Sequence, residues 1–145
     1  MWLAAHGWNV TAVDGSDVAI EILESEASHR GLPLRVIRAD LEMGEYPIQG
    51  AQWDLVVMSY YLQTSLFEPA FEGLRPGGAL VIIVNLAAEG ETRKHVLRPG
   101  ELRSFFRGHS LVHYYEGPPR DDAHHRSVAE LVVERPVPAD RPEAV

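Results

Sequence analysis

The chain contains no cysteine. That excludes a disulfide framework, a thiolate nucleophile and a zinc site built on Cys. Positive charge is scarce: 13 Lys and Arg stand against 21 Asp and Glu, for a formal net charge of −8. So acidic a chain argues against nucleic acid or an anionic membrane as partner, because both present phosphate. Long apolar runs are missing as well. The longest, such as residues 80–84, fall far short of the ~20 residues that span a bilayer. The N-terminus carries no basic segment followed by an apolar stretch, so no signal peptide is expected and the expected location is cytoplasmic. No internal repeat or low-complexity tract is present.

What is there is ordinary globular material. The 145 residues, of which 46% are hydrophobic, suit one domain on the usual scale of about 100–200 residues. Residues 2–6 are apolar and helix-compatible, and Gly7 suits a helix end. Residues 8–14 read as a buried strand closing at Asp14. Ser16 is placed to cap a helix whose apolar face holds Ala19, Ile22, Leu23 and Ala27, with Gly31 and Pro33 ending it. A second strand over 34–39 closes at Asp40. After a loop, residues 53–58 form a third strand, apolar enough to be covered on both faces. Leu62, Leu66, Phe67, Ala70, Phe71 and Leu74 have helical spacing, with the regular helix starting near Pro69. Arg75-Pro76-Gly77-Gly78 reads as a turn into a fourth strand over 79–84. A short helix after Pro99 is expected to bury Leu102, Phe105 and Phe106. Residues 111–116 and 127–134 read as an antiparallel strand pair joined by a polar loop.

Strands alternating with helices imply right-handed βαβ units and a parallel sheet. The fold class is therefore α/β, mostly parallel, with a C-terminal antiparallel pair. The order and spacing of several short motifs add to this. They are Val10-Thr11-Ala12-Val13-Asp14, Arg38-Ala39-Asp40-Leu41, Trp53-Asp54-Leu55-Val56-Val57, Leu74-Arg75-Pro76-Gly77-Gly78-Ala79-Leu80 and Leu97-Arg98-Pro99-Gly100-Glu101-Leu102. Together they make the chain resemble the class I S-adenosylmethionine-dependent methyltransferases, in particular small single-domain members of the tellurite-resistance type. The resemblance runs over residues 1–135 and implies a Rossmann-like three-layer sandwich, leaving 136–145 as a flexible tail. It departs from the family at the start. The first family strand and the Gly-rich loop after it are missing, so residues 2–7 are expected to be the end of the helix that follows that loop. The third strand is then expected to pair directly with the first, in the order 2-1-3-4-6-5, or the edge is expected to take a second copy of the chain and make a homodimer.

The resemblance implies S-adenosylmethionine as cofactor. It gives Asp14, followed by Gly15, the two ribose hydroxyls, and Asp40 the adenine amino group, with Leu41 against the ring. Both positions suit ligand binding, since ligands of open α/β sheets lie outside the carboxyl ends of the strands. Both also suit a plain turn or helix cap. Ser59, Tyr60 and Tyr61 follow the third strand where methyl donor and acceptor would meet. Ser59 is a cofactor contact on this reading, and Tyr60 the catalytic candidate, because aromatic faces favour a sulfonium cation. Tyr61 reads more simply as a cap on the core. Asn85 could line the acceptor site or make a turn. Asp121, Asp122, His124 and His125 have metal-ligand chemistry, but they fall in a loop and read as a solvated segment; no metal is expected. The implied function is methyl transfer to a small molecule, with the absent Gly-rich loop as the point where activity would be impaired. The alternative is a non-catalytic Rossmann-like module, a pseudoenzyme or interaction subunit. A nicotinamide oxidoreductase is a distant third, since no catalytic Tyr-Lys pair is evident.

Overall fold

The computed structural model describes residues 1–92 and 94–138; residues 139–145 of the expected tail lie outside the described residues. The chain divides into two compact units, Met1–Pro47 and Ile48–Val145.

In the first unit, helix α1 (Trp2–Ala5) is followed by Gly7 at φ 84°, and the Trp8 N–H reaches back to the Leu3 carbonyl at 3.1 Å. Strand β1 (Val10–Asp14), helix α2 (Asp17–His29) and strand β2 (Leu34–Arg38) then form one βαβ unit. β1 and β2 pair in parallel without a slip, from Val10 opposite Leu34 to Asp14 opposite Arg38. Ser16 caps α2 as its residue type requires, its Oγ accepting from the Ala19 N–H at 3.3 Å. Ala27 is buried and Ala19 and Leu23 half-buried. Ile22 departs from expectation: it is 63% exposed. Successive helical residues turn by about 100°, which sets Ile22 off the line through 19, 23 and 27 and beside exposed Val18. The Arg38 guanidinium donates to Asp17 Oδ1 at 2.7 Å and links the end of β2 to the start of α2.

The second unit holds strand β3 (Trp53–Ser59), a single 3-10 turn, helix α3 (Phe67–Glu72), strand β4 (Leu74–Asn85), helix α4 (Glu101–Phe105) and strands β5 (Ser110–Gly117) and β6 (Val128–Glu134). Their sheet order is β3-β4-β6-β5. β3 and β4 are parallel, and β6 runs against both of its neighbours. Antiparallel pairing is therefore not confined to the C-terminal pair. Once β6 inserts between β4 and β5, it makes two antiparallel ladders.

Arg75-Pro76-Gly77-Gly78 is not a turn outside the strand. β4 begins at Leu74, and the segment forms a bulge between the pairs Trp53–Leu74 and Leu55–Ala79. Gly77 has φ 80°, and a Cβ on Gly78 would stand 3.0 Å from the carbonyls of both Arg75 and Trp53. Only glycine allows backbone to approach that closely.

Leu80, Ile82 and Val84 alternate along β4, as do Ala129, Leu131 and Val133 along β6, so each set lines one face. These residues form one core cluster with Phe67 and Ala70 of α3, Leu102 of α4 and Phe106 just beyond it. Phe105 departs from the expected buried face: it is 43% exposed and meets Phe67 edge-on at 5.3 Å. β3 is not covered on both faces either. Met58 is buried while its neighbour Val57 is 45% exposed, because successive strand residues point to opposite faces.

The expected join between β1 and β3 is not made: β1 pairs with β2 alone and β3 with β4 alone. Direct pairing was expected from the cost of leaving ladder groups unpaired, which applies to groups withdrawn from water. All five residues of β1 are only partly buried, so that cost does not apply in full.

Tyr114 on β5 hydrogen-bonds the Glu116 carboxylate, beneath the Arg103 guanidinium at 5.6 Å from the ring centre. Burial, then the bond to Glu116, pushes its phenol up to about 12. The unfolded chain ionises near the ordinary value of about 10. Over pH 10–12 the unfolded state therefore binds fewer protons than the folded one, and stability falls with rising pH. Absorbance at tyrosinate wavelengths is expected to show a late-ionising phenol that disappears in Tyr114→Phe. A wild-type titration with all phenols ionising together near the ordinary value would contradict this.

Candidate functional site

In the first unit, the carboxyl ends of the two parallel strands lie side by side. The Asp14 carbonyl accepts from the Ala39 N–H at 3.0 Å, and a Cβ on Gly15 would lie 3.5 Å from the Ala39 carbonyl and 3.8 Å from Asp40 Cα. Asp14, Gly15, Asp40 and Leu41 thus come together at one end of one βαβ unit. Parallel register puts them there, since both strands end at the same level.

Each carboxylate already makes a turn. Asp14 Oδ1 accepts from the Ser16 N–H at 2.8 Å. Asp40 Oδ1 accepts from the N–H groups of Glu42 and Met43 at 2.9 and 3.3 Å. The Asp40 N–H donates to Glu45 Oε2 at 2.8 Å, and the Glu45 N–H returns to the Asp40 carbonyl at 3.1 Å. The turn role and a ligand role are compatible, because an ionised carboxylate offers about four acceptor positions. Oδ2 of Asp14 and Oδ2 of Asp40 have no partner among the described residues. A group bringing hydroxyl and amino donors, such as an adenosine, fits these two acceptors.

In the second unit, Ser59 closes β3 and is exposed. Tyr60 follows with φ 56°, and its N–H donates to the Ile83 carbonyl at 2.7 Å. A non-glycine residue in this left-handed region is held at a cost of about 1 kcal/mol or more. The Tyr60 hydroxyl donates to Asp121 Oδ2 at 3.2 Å, and its ring stacks on His124 with centroids 3.7 Å apart and planes 7° from parallel. Burial, then the hydrogen bond to Asp121, raises the Tyr60 phenol above its ordinary range. Asp121 Oδ1 accepts from the Ala123 N–H at 2.9 Å, the His124 N–H at 3.0 Å and His124 Nδ1 at 2.7 Å. The bond from His124 contributes most to holding the Asp121 carboxyl below its ordinary range.

Half of the loop expected to be merely solvated is thus docked on the end of β3. Sequence reasoning treated Asp121 and His124 with metals in mind; among the described residues no three His, Cys, Asp or Glu side chains gather as a ligand set. The alternation of adjacent histidines was the one useful signal, since it separates His124 from His125. Nothing in periodicity pointed to Tyr60, 61 residues from Asp121. Tyr61 packs against the core and donates to Gln63 Oε1 at 2.7 Å. Asn85 ends β4 in register with Val128, and its carbonyl accepts from the Leu97 N–H at 3.1 Å. Among the described residues no helix is long and apolar enough to cross a membrane.

A family model described as a methyltransferase domain matches residues 1–78. No curated protein matches the chain. Among solved structures, TehB from Haemophilus influenzae is similar at 17% identity and a TM-score of 0.75; the match covers 92% of this chain and 52% of that one, so the chain spans about half its length. A SAM-dependent methyltransferase from Methanosarcina mazei is similar at 15% identity and a TM-score of 0.70, covering 94% and 86%. The Burkholderia thailandensis 1,6-didemethyltoxoflavin-N1-methyltransferase, solved with that compound and S-adenosylhomocysteine, is similar at 17% identity and a TM-score of 0.67, covering 93% and 64%. At these identities the likeness is one of fold, Rossmann-like α/β.

Proposed function

The chain belongs to the methyltransferase-domain family, and from that premise we propose that it is an S-adenosylmethionine-dependent methyltransferase acting on a small molecule. The observation that carries the reading is the pair of strand-end carboxylates, Asp14 and Asp40, each with an acceptor oxygen left over after its turn is made. S-adenosylmethionine, when bound, supplies a methyl group made electrophilic by its sulfonium. Asp14 accepts from the ribose hydroxyls, and Asp40 accepts from the adenine amino group with Leu41 against the ring. Gly15, beside Ala39 and Asp40, is proposed as a further cofactor contact. Ser59 is proposed as a further cofactor contact and Tyr60 as the catalytic candidate.

A small acceptor is supported by the net charge of −8, which opposes a polyanionic one. Methyl transfer to a good nucleophile needs alignment and exclusion of water more than it needs dedicated catalytic groups.

Calorimetry with S-adenosylhomocysteine tests the reading. Saturable one-to-one binding is expected. Folded protein showing no heat of binding at millimolar ligand would sink the enzyme reading and leave the non-catalytic module.

A further inference from the structure

Asp14 and Asp40 both follow a parallel strand to its end, but only one of them is anchored by a helix. Two residues after Asp14, Ser16 caps α2. After Asp40 the next regular element is β3, which starts at Trp53. A carboxylate at the head of so long a connection can swing unless something else holds its backbone.

Glu45 holds it. The Ala39 N–H still bonds to the Asp14 carbonyl at 3.0 Å. One residue on, the Asp40 N–H donates instead to Glu45 Oε2 at 2.8 Å, and the Glu45 N–H returns to the Asp40 carbonyl at 3.1 Å. Both backbone polar groups of Asp40 are thus taken by a single residue. The chain reverses between the two: the Gly44 N–H donates to the Leu41 carbonyl at 3.2 Å, and Gly44 has φ 71°, a conformation that glycine adopts without steric cost. Inside this closed loop the N–H groups of Glu42 and Met43 hold Asp40 Oδ1, which leaves Oδ2 as the oxygen for a ligand.

From this closure, and resting on the functional reading just given, we propose that Glu45 is a positioning residue for the cofactor, fixing Asp40 so that the site reads the 6-amino group of adenine. Reading one amino group depends on direction, because a hydrogen bond weakens steeply as its angle falls toward about 120°. An acceptor that swings contributes little to telling one purine from another. A carboxylate suits the holding role, since an N–H bond to an ionised acceptor is about twice as strong as one to a neutral acceptor. Glu45 is exposed, so its side chain serves the loop and not a core. Two carboxylates so close repel each other, and Arg38 offsets this. Its guanidinium, held first by the hydrogen bond to Asp17, also feels Glu45 and then Asp40.

The test is calorimetric and uses two ligands. One is S-adenosylhomocysteine, and the other is its 6-deamino analogue, with hydrogen in place of the amino group. Wild-type protein is expected to prefer the first. Glu45→Ala is expected to weaken S-adenosylhomocysteine about tenfold, the fold-change that corresponds to one hydrogen bond of about 1.4 kcal/mol. The analogue is expected to bind both proteins alike, so the preference collapses. Glu45→Gln keeps an acceptor and is expected to recover S-adenosylhomocysteine binding to within about threefold of the wild type. Equal losses for the two ligands in Glu45→Ala would mean a general structural role and overturn the proposal. So would an unchanged preference, a wild-type protein with no preference, or a glutamine protein no better than the alanine one. Failure of wild-type protein to bind S-adenosylhomocysteine at all strikes the functional reading itself, and the same titration tells the two failures apart. Amide exchange supplies a readout free of ligand: the Asp40 N–H is expected to be protected in the wild type and in Glu45→Gln, and to lose that protection in Glu45→Ala. An Asp40 amide that exchanges in the wild type as fast as an open loop would also overturn the assignment.

Discussion

Asp14→Ala is expected to weaken binding of S-adenosylhomocysteine by about 10- to 100-fold, since a hydrogen bond to a charged group is worth about 1.5–3 kcal/mol and each 1.4 kcal/mol is tenfold. The substitution removes two things at once. One is the acceptor oxygen proposed for the ribose hydroxyls. The other is the turn made by Oδ1 with the Ser16 N–H at 2.8 Å. Asp14→Asn separates them, because the amide oxygen can keep the turn while the charge is lost. The expected order of affinity is wild type, then Asn, then Ala, with the Asn protein melting close to the wild type. Calorimetric titration of all three at matched ionic strength gives the comparison. If the alanine protein binds as the wild type does, Asp14 is a turn residue and nothing more. If the asparagine protein binds fully, charge is not what the ligand recognises.

Leu131→Ala is expected to cost about 2–5 kcal/mol of stability, the range for truncating a buried leucine. Leu131 has no exposed surface and stands at the middle of β6, between Ile82 on β4 and Tyr114 on β5. It belongs to the cluster that joins α3 and α4 to the sheet. Its removal leaves a cavity under two ladders at once, where neighbouring strands can collapse only slightly. Val57→Ala is the matched control, because Val57 is 45% exposed on β3; its cost should stay within about 0.5 kcal/mol, as for other surface changes. Urea unfolding followed by tryptophan fluorescence gives both values. Equal losses at the two positions would show that β6 is not the centre of this core.

Parts of the candidate site were legible because they depend on local pattern. Asp14 and Asp40 each close a strand whose β-branched and apolar residues mark it, and parallel register then brings the two ends level. Ser16 announces α2 by residue type alone. Ile22 and Phe105 were misplaced for one reason: spacing of three or four along a helix defines a stripe only to within one residue, and packing chooses which edge of it is covered. The Pro-Gly-Gly segment was read as a turn because its residues favour turns. In the fold they form a bulge inside β4, since the Arg135 N–H and carbonyl bond Gly78 and Gly77 at 2.9 and 2.8 Å and keep the strand paired.

The sequence by itself determined the order of strands and helices, the parallel pairing within the βαβ units, the family likeness and the two strand-end carboxylates. Those follow from residue type and short spacing, which act over a few residues. The order β3-β4-β6-β5 was legible too, but the tertiary structure alone decided that β6 runs antiparallel to β4 as well as to β5, and that Asp121 and His124 close on Tyr60. Each of these is a contact between segments far apart in the chain. Such contacts depend on which ladders, faces and loop conformations bury the most surface while keeping polar groups paired, and no local pattern carries that information.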